Sequence, residues 1–198
     1  VTIGDYLSKK FAEPKTDVNR PEFAEAEKAV QARIDRLLSI NGKETVDSIH
    51  KELGHIMWEY VGMARDKDGL QKAIGLIKDL RKRFYENVKV PGTQFEFNQE
   101  LEKALRLEDF FEIGELMARD ALNRNESCGG HFRVESQTEE GEAKRDDANY
   151  MYVAAWEYKG EGEEPELHKE PLVYENIKVI TRNYKVSVFG RPTFDILT

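Results

Sequence analysis

Four stretches of helical hydrophobic periodicity, separated by clear breakers, run through the first two-thirds of the chain. From Pro21, a favoured first helical residue, Phe23, Ala26, Val30, Ile34 and Leu37 recur at spacings of three and four until Asn41-Gly42 ends the pattern. Thr45 can cap a second helix, striped by Ile49, Leu53, Ile56, Met57, Tyr60 and Val61 and continuing to about Arg65. Asp66 or Asp68 caps a third, whose stripe is Leu70, Ile74, Ile77, Leu80, Phe84 and Val88, and Val90-Pro91-Gly92 stops it. After "TQFEF" a fourth pattern runs from about Asn98 to Asn123 on Leu101, Leu105, Phe110, Ile113, Met117 and Ala121. A connection of only a few residues between the second and third helices favours antiparallel packing.

The flanks read differently. Residues 1–20 show no sustained period and form a lead-in to the helical domain of residues 21–124. In residues 125–149 the only large apolar side chains are Phe132 and Val134, too few to order the segment by burial, so something else must hold it or it stays loose. Residues 150–185 read as a β-hairpin: "YMYVAAWEYKG" is one strand and "EGEEPELHKEP" the turn. In the second strand, "LVYENIKVITRNYK", Val173, Ile177 and Val179 face inward. Residues 186–198 are a tail of uncertain origin. The expected architecture is mainly α: an up-and-down three-helix bundle with a leading helix, then an extended segment and a C-terminal hairpin.

Composition narrows the functional classes. With 38 acidic against 30 basic residues the net charge is −8, and the basic residues are scattered, so nucleic acid is a poor partner. No apolar run approaches the length needed for direct membrane insertion, no secretory signal architecture is present, and one cysteine excludes an internal disulfide framework. A reducing compartment is the default. A chain that begins at Val1 suggests a processed protein or a piece of a longer one.

The search for chemistry is short. There is neither a GxGxxG after a strand nor a phosphate loop. His50 and His55, five apart on a helix, lie about 140° apart and cannot ligate one metal from one face. Cys128 and His131 could form a thiolate pair across Gly129-Gly130, although a turn that needs glycine accounts for the same residues. Asp146-Asp147 with Glu139, Glu140 and Glu142 lack the spacing of a calcium loop. Trp58, Trp156 and Met57 read as core.

One string has a wider echo. "MARDALNRNESCGGHFRVESQ", followed by "KRDDANYMYVAAWEY", resembles the C-terminal portion of the flavoprotein subunit of succinate dehydrogenases and fumarate reductases. The family pattern is Arg-x-Glu-Ser-Arg-Gly-x-His-x-Arg, then Arg-Asp-Asp-x-Asn and an aromatic. Arg124, Glu126, Ser127, Gly129, His131 and Arg133 match, as do Arg145, Asp146, Asp147, Asn149 and Tyr150. Cys128 stands where most members have arginine, a variant similar to the non-classical bacterial branch.

The resemblance implies a spectrin-repeat-like bundle and a docking strap that runs back over a flavin-binding domain of the same subunit. Arg124, Glu126, Ser127, His131, Arg133, Arg145, Asp146 and Asp147 would be its docking residues, through charge-assisted pairs. It also implies FAD and succinate–fumarate interconversion in the intact subunit, with no cofactor in this chain. An iron–sulfur subunit would be the partner, on the cytoplasmic face of the inner membrane. L-aspartate oxidases share the region and give a second enzymatic reading. A free-standing helical adaptor is the alternative from a different class.

Overall fold

The computed structural model describes residues 2–10, 17–160, 162–177 and 179. Its helices are α1 (Thr2–Lys10), α2 (Pro21–Ser39), α3 (Val46–Val61), α4 (Lys67–Asn87), α5 (Gln99–Asn123) and α6 (Asp147–Tyr150). Its strands are β1 (Glu44–Thr45), β2 (Ala64–Arg65), β3 (Val88–Lys89), β4 (Phe132–Arg133), β5 (Tyr152–Glu157) and β6 (Glu166–Pro171). The fold is a helical bundle followed by a C-terminal hairpin. The predicted caps are in place. Thr45 Oγ1 accepts from Ser48 N at 3.1 Å, and Asp66 rather than Asp68 accepts from Gly69 N at 2.8 Å. Asn98, where the fourth pattern begins, adds a further cap, its Oδ1 accepting from Leu101 N at 3.0 Å.

Two compact units share α3, α4 and α5. The first comprises Val1–Lys51 with Leu80–Phe110, the second Glu52–Asp79 with Phe111–Thr198. In the first, Leu37, Val46, Ile49, Leu80, Phe84, Val88, Leu101 and Leu107 are buried. Beside them the Glu108 carboxylate accepts from Arg33 Nη2 at 2.8 Å and Tyr85 Oη at 2.9 Å, while Arg36 lies 3.6 Å over the Tyr85 ring. A buried carboxylate is tolerated only when it is paired and hydrogen-bonded in this way. The β1–β3 pairing is parallel, with Glu44 opposite Val88, and the chain leading into it presses on the end of α4. A Cβ on Gly42 would fall 1.9 Å from the Asn87 carbonyl oxygen. Gly42→Ala is therefore expected to destabilise the protein by about 1–3 kcal/mol in chemical denaturation. A wild-type midpoint would show that the connection can shift without cost.

In the second unit the bundle closes around a glycine. A Cβ on Gly114 of α5 would lie 3.2 Å from Met57 Sδ of α3 and 3.9 Å from both Ile77 of α4 and Leu53 of α3. Leu53, Ile56, Leu70, Ala73, Ile77, Phe111, Ala118 and Ala121 are buried in this unit's helices.

Several expectations need correction. On α5 the buried face is Leu101, Ala104, Leu107, Phe111, Ala118 and Ala121, whereas Phe110, Ile113 and Met117 are exposed. The buried side of this helix carries Gly114, Glu108 and Glu115 among its hydrophobes, so counting large apolar residues selects the wrong stripe. On α2, Leu37 is buried but Phe23 and Val30 are exposed. Trp58, read as core, is 82% exposed; Trp156 is half-buried. Part of the lead-in is helical: α1 carries Ile3, Tyr6 and Leu7, a stripe of about two turns, too short to establish a period.

The hairpin also pairs differently. β5 joins β6 antiparallel, with Trp156 opposite Leu167 and Glu157 opposite Glu166, so the second strand is "ELHKEP", inside the stretch expected to turn. The turn is made earlier, through Gly160 (φ 130°) and Gly162 (φ 83°), and Pro171 sits at the strand's end, where a missing donor costs little. Val173 is 81% exposed and Ile177 is exposed too, not inward-facing. Charge holds the register at the turn: Lys159 Nζ lies 2.8 Å from Glu157 and 2.7 Å from Glu166, and His168 Nε2 lies 2.7 Å from Glu157. These acidic groups thus already have cationic partners. The ribbon is tied to α5 by Trp156 Nε1–H to Asp120 at 2.8 Å and by Arg119, forked onto Glu164. The expected tail of residues 186–198 lies outside the described residues.

Candidate docking site at the helix ends

The segment after α5 has few apolar groups because its work is done by polar ones. At its tip Cys128 and His131 exchange two backbone hydrogen bonds, 2.8 Å and 3.1 Å, around Gly129-Gly130. Gly129 has φ 59°, a left-handed conformation that suits glycine as the first central residue of a two-residue hairpin. The Ser127 hydroxyl, fully buried, accepts from Arg133 N at 2.8 Å and donates to Arg133 O at 3.1 Å. With Ser127 N donating to Lys144 O at 2.9 Å, the segment pairs part of its backbone with itself.

Its side chains then reach the ends of the long helices, where backbone groups lack intrahelical partners. Arg133 is buried and donates from Nη1 to Ala121 O at 2.9 Å and Leu122 O at 3.3 Å, capping the C-terminus of α5. Its Nε pairs with Glu135 at 3.1 Å. The other Glu135 oxygen accepts from Lys67 N, the first residue of α4, at 2.6 Å. Burial opposes ionisation of Glu135, but the Lys67 and Arg133 hydrogen bonds win and hold it below the usual carboxylate range.

Arg65, in the α3–α4 connection, caps α3 in the same way, donating from Nε to Val61 O at 3.1 Å and Gly62 O at 3.0 Å. The backbone closes the arrangement: β2 and β4 pair in parallel, and Val134 N donates to Arg65 O at 2.8 Å. One segment therefore ties together the C-terminus of α3, the N-terminus of α4 and the C-terminus of α5.

The second motif joins through Glu126. This buried carboxylate accepts from Arg124 Nη1 at 2.6 Å and from Asp146 N at 2.8 Å. Arg124 also donates to Tyr150 O at 3.3 Å and Tyr152 O at 3.0 Å, with its guanidinium 5.7 and 5.2 Å from the two rings. Arg145 pairs with Asp147 (Nη2–Oδ1 2.5 Å), which raises its pKa, and Asp146 caps α6.

The sequence assigns partners for this segment to another domain, whereas the structure supplies them for Arg124, Glu126, Ser127, His131 and Arg133 within the chain. Cys128, the two glycines and Val134 are among the residues that stay exposed, and Asp147 is partly so. A thiolate pair between Cys128 and His131 does not form, because both imidazole nitrogens are engaged elsewhere: Nε2–H donates to Arg124 O and Nδ1 accepts from Arg65 Nη1, each at 2.7 Å. Arg65, Glu135 and Asp120 are functional partners that sequence reasoning missed. Arg65 is 66 residues from His131, and no local pattern marks it.

Residues 50–184 match the family described as fumarate reductase flavoprotein C-term. The chain belongs to that family. It is 30% identical over 148 residues to a fumarate reductase flavoprotein subunit of Haemophilus influenzae, an alignment covering 75% of this chain and 23% of that protein. Among solved structures, a mutant Escherichia coli quinol fumarate reductase superposes with TM-score 0.73 at 25% identity, covering 90% of this chain and 29% of its own. The Mycobacterium smegmatis Sdh1 complex gives TM-score 0.65 at 26% identity, with 85% and 27% covered. The chain thus spans under a third of the length of the relatives it matches.

An FAD cradle needs glycines between a strand and a helix N-terminus, where backbone amides meet the pyrophosphate. Among the described residues, the adjacent glycines Gly129-Gly130 lie in a hairpin that leads into β4, and Gly160 and Gly162 lie in the ribbon turn. These four glycines do not form such a cradle. Nor is any helix of the described residues long and apolar enough to cross a membrane.

Proposed function

We propose that this fumarate reductase flavoprotein C-terminal region is the scaffold that packs on the flavin-binding domain of a subunit interconverting succinate and fumarate through FAD. The family match over residues 50–184 carries this reading. Electrons would pass between that subunit and an iron–sulfur subunit at the cytoplasmic face of the inner membrane. The helix-end clasp supports the scaffold role: Arg133, Glu126 and Ser127 are spent on internal bonds, and the exposed Cys128–Gly130 tip and the partly exposed Asp147 are placed to meet the neighbouring domain.

Two measurements test this. The 198-residue chain is expected to bind no FAD in equilibrium dialysis and to reduce no fumarate with reduced viologen. In the intact subunit, Asp147→Ala is expected to loosen domain packing, read as faster proteolysis between domains, with turnover per bound flavin nearly unchanged. Stoichiometric flavin binding by the chain alone overturns the scaffold reading. So does an Asp147→Ala subunit with wild-type proteolysis and impaired turnover.

A further inference from the structure

The clasp holds a titratable group whose neutral form is built into the fold. His131 Nδ1 faces Arg65 Nη1 and His131 Nε2 faces Arg124 O, both at 2.7 Å. A guanidinium only donates and a carbonyl only accepts, so the ring carries its one proton on Nε2. A second proton has a single place to go. It would sit on Nδ1, aimed at a guanidinium N–H. We propose that His131 is an acid-operated latch: protonation of Nδ1 expels the Arg65 guanidinium and releases residues 127–136 from the α3–α4 connection.

The charges around the ring all favour this outcome. Arg65 from β2, Arg124 beyond the end of α5 and Arg133 from β4 act on the imidazole, and each is a cation. The nearby carboxylates are already engaged. Glu126 is held by Arg124 and the Asp146 amide, Glu135 by Arg133 and the Lys67 amide, and Asp120 on α5 acts on Arg65. Burial and these arginines together push the His131 pKa down, against the opposing pull of its bond to the Arg124 carbonyl.

Arg65 transmits the change, because its Nε caps Val61 and Gly62 and its carbonyl accepts from Val134 N. The sign follows from linkage. The released ring binds a proton more readily than the latched one, so release is favoured as pH falls through about 6.5 and gains nothing above it. Between the released and latched pKa values, the opening equilibrium rises by up to about tenfold per pH unit.

The test combines imidazole nitrogen NMR with amide hydrogen exchange of the full chain at about pH 7.5 and about pH 5, which bracket free imidazole. Expected are the Nε2–H tautomer at neutral pH, a titration midpoint below that of free histidine, and loss of protection in residues 62–67 and 127–136 that tracks the titration. In His131→Gln, one amide group can both donate to Arg124 O and accept from Arg65 without titrating, and the acid-driven loss should disappear. An Nδ1–H tautomer, or a midpoint at or above that of free histidine, overturns the latch. Equal acid-driven loss in the wild type and the Gln variant also overturns it. If the variant does not fold, the wild-type titration decides: protection lost out of step with the ring's midpoint overturns the proposal.

Discussion

Replacing Phe111 with alanine is expected to cost about 3–5 kcal/mol, whereas the same change at Phe110 should cost below about 1 kcal/mol. The two residues are chain neighbours on α5 and chemically identical. Phe111 is fully buried, so truncation removes its transfer free energy and leaves a cavity. Phe110 is 39% exposed and touches the His50 ring at 5.3 Å, a contact that solvent can largely replace. Urea denaturation of both variants reads the difference directly. Equal costs, or a larger cost at Phe110, would return the buried face of α5 to the Phe110–Ile113–Met117 stripe and refute the register described above.

Arg133→Met should cost about 2–3 kcal/mol, because three donors are lost from a side chain with almost no access to water. The Ala121 and Leu122 carbonyls would lose the cap of α5, and Glu135 would keep only the Lys67 amide. The fuller penalty of a broken buried ion pair does not apply, since Glu135 is partly exposed and water can replace the guanidinium there. Arg133→Lys is expected to recover less than half of the loss. An ammonium supplies a point charge but not a planar fork that serves two carbonyls and a carboxylate at once. A Met variant within about 0.5 kcal/mol of wild type would show that the cap is ornamental.

What the sequence made legible, and what it did not, divides along a physical line. Local signals sufficed for α2 to α5, since Pro21, Thr45, Asp66, Pro91 and Asn98 act on the backbone within a few residues of themselves. The buried face of α5 was hidden because close helix approach demands Gly114 and buried ion pairing uses Glu108 and Glu115, none of which registers as hydrophobic. The β6 strand was hidden because its register rests on cross-strand charges and on Trp156 opposite Leu167, while its own composition reads as a turn. For the clasp, the motif "RNESCGGHFR" identified the family but not the physics. Its purpose becomes visible only once Arg65 and the two helix ends stand beside it, and those partners are set by tertiary structure.

The clasp also sets an order of events during synthesis. The amide that opens α4 receives its carboxylate from a residue 68 positions further along, and the Arg65 that caps α3 finds its imidazole 66 positions on. Closing so long a loop carries an entropic cost that local helix contacts do not, so these pairings form after the helices they cap. At about 5–20 residues per second, a nascent chain carries the completed α4 for roughly 2–10 seconds before Glu135 has even been made. Through that interval α3 and α4 rely on their own caps and apolar faces, and a ribosome-bound chain stopped short of Arg133 holds a helical hairpin whose ends are still open to water and to chaperones.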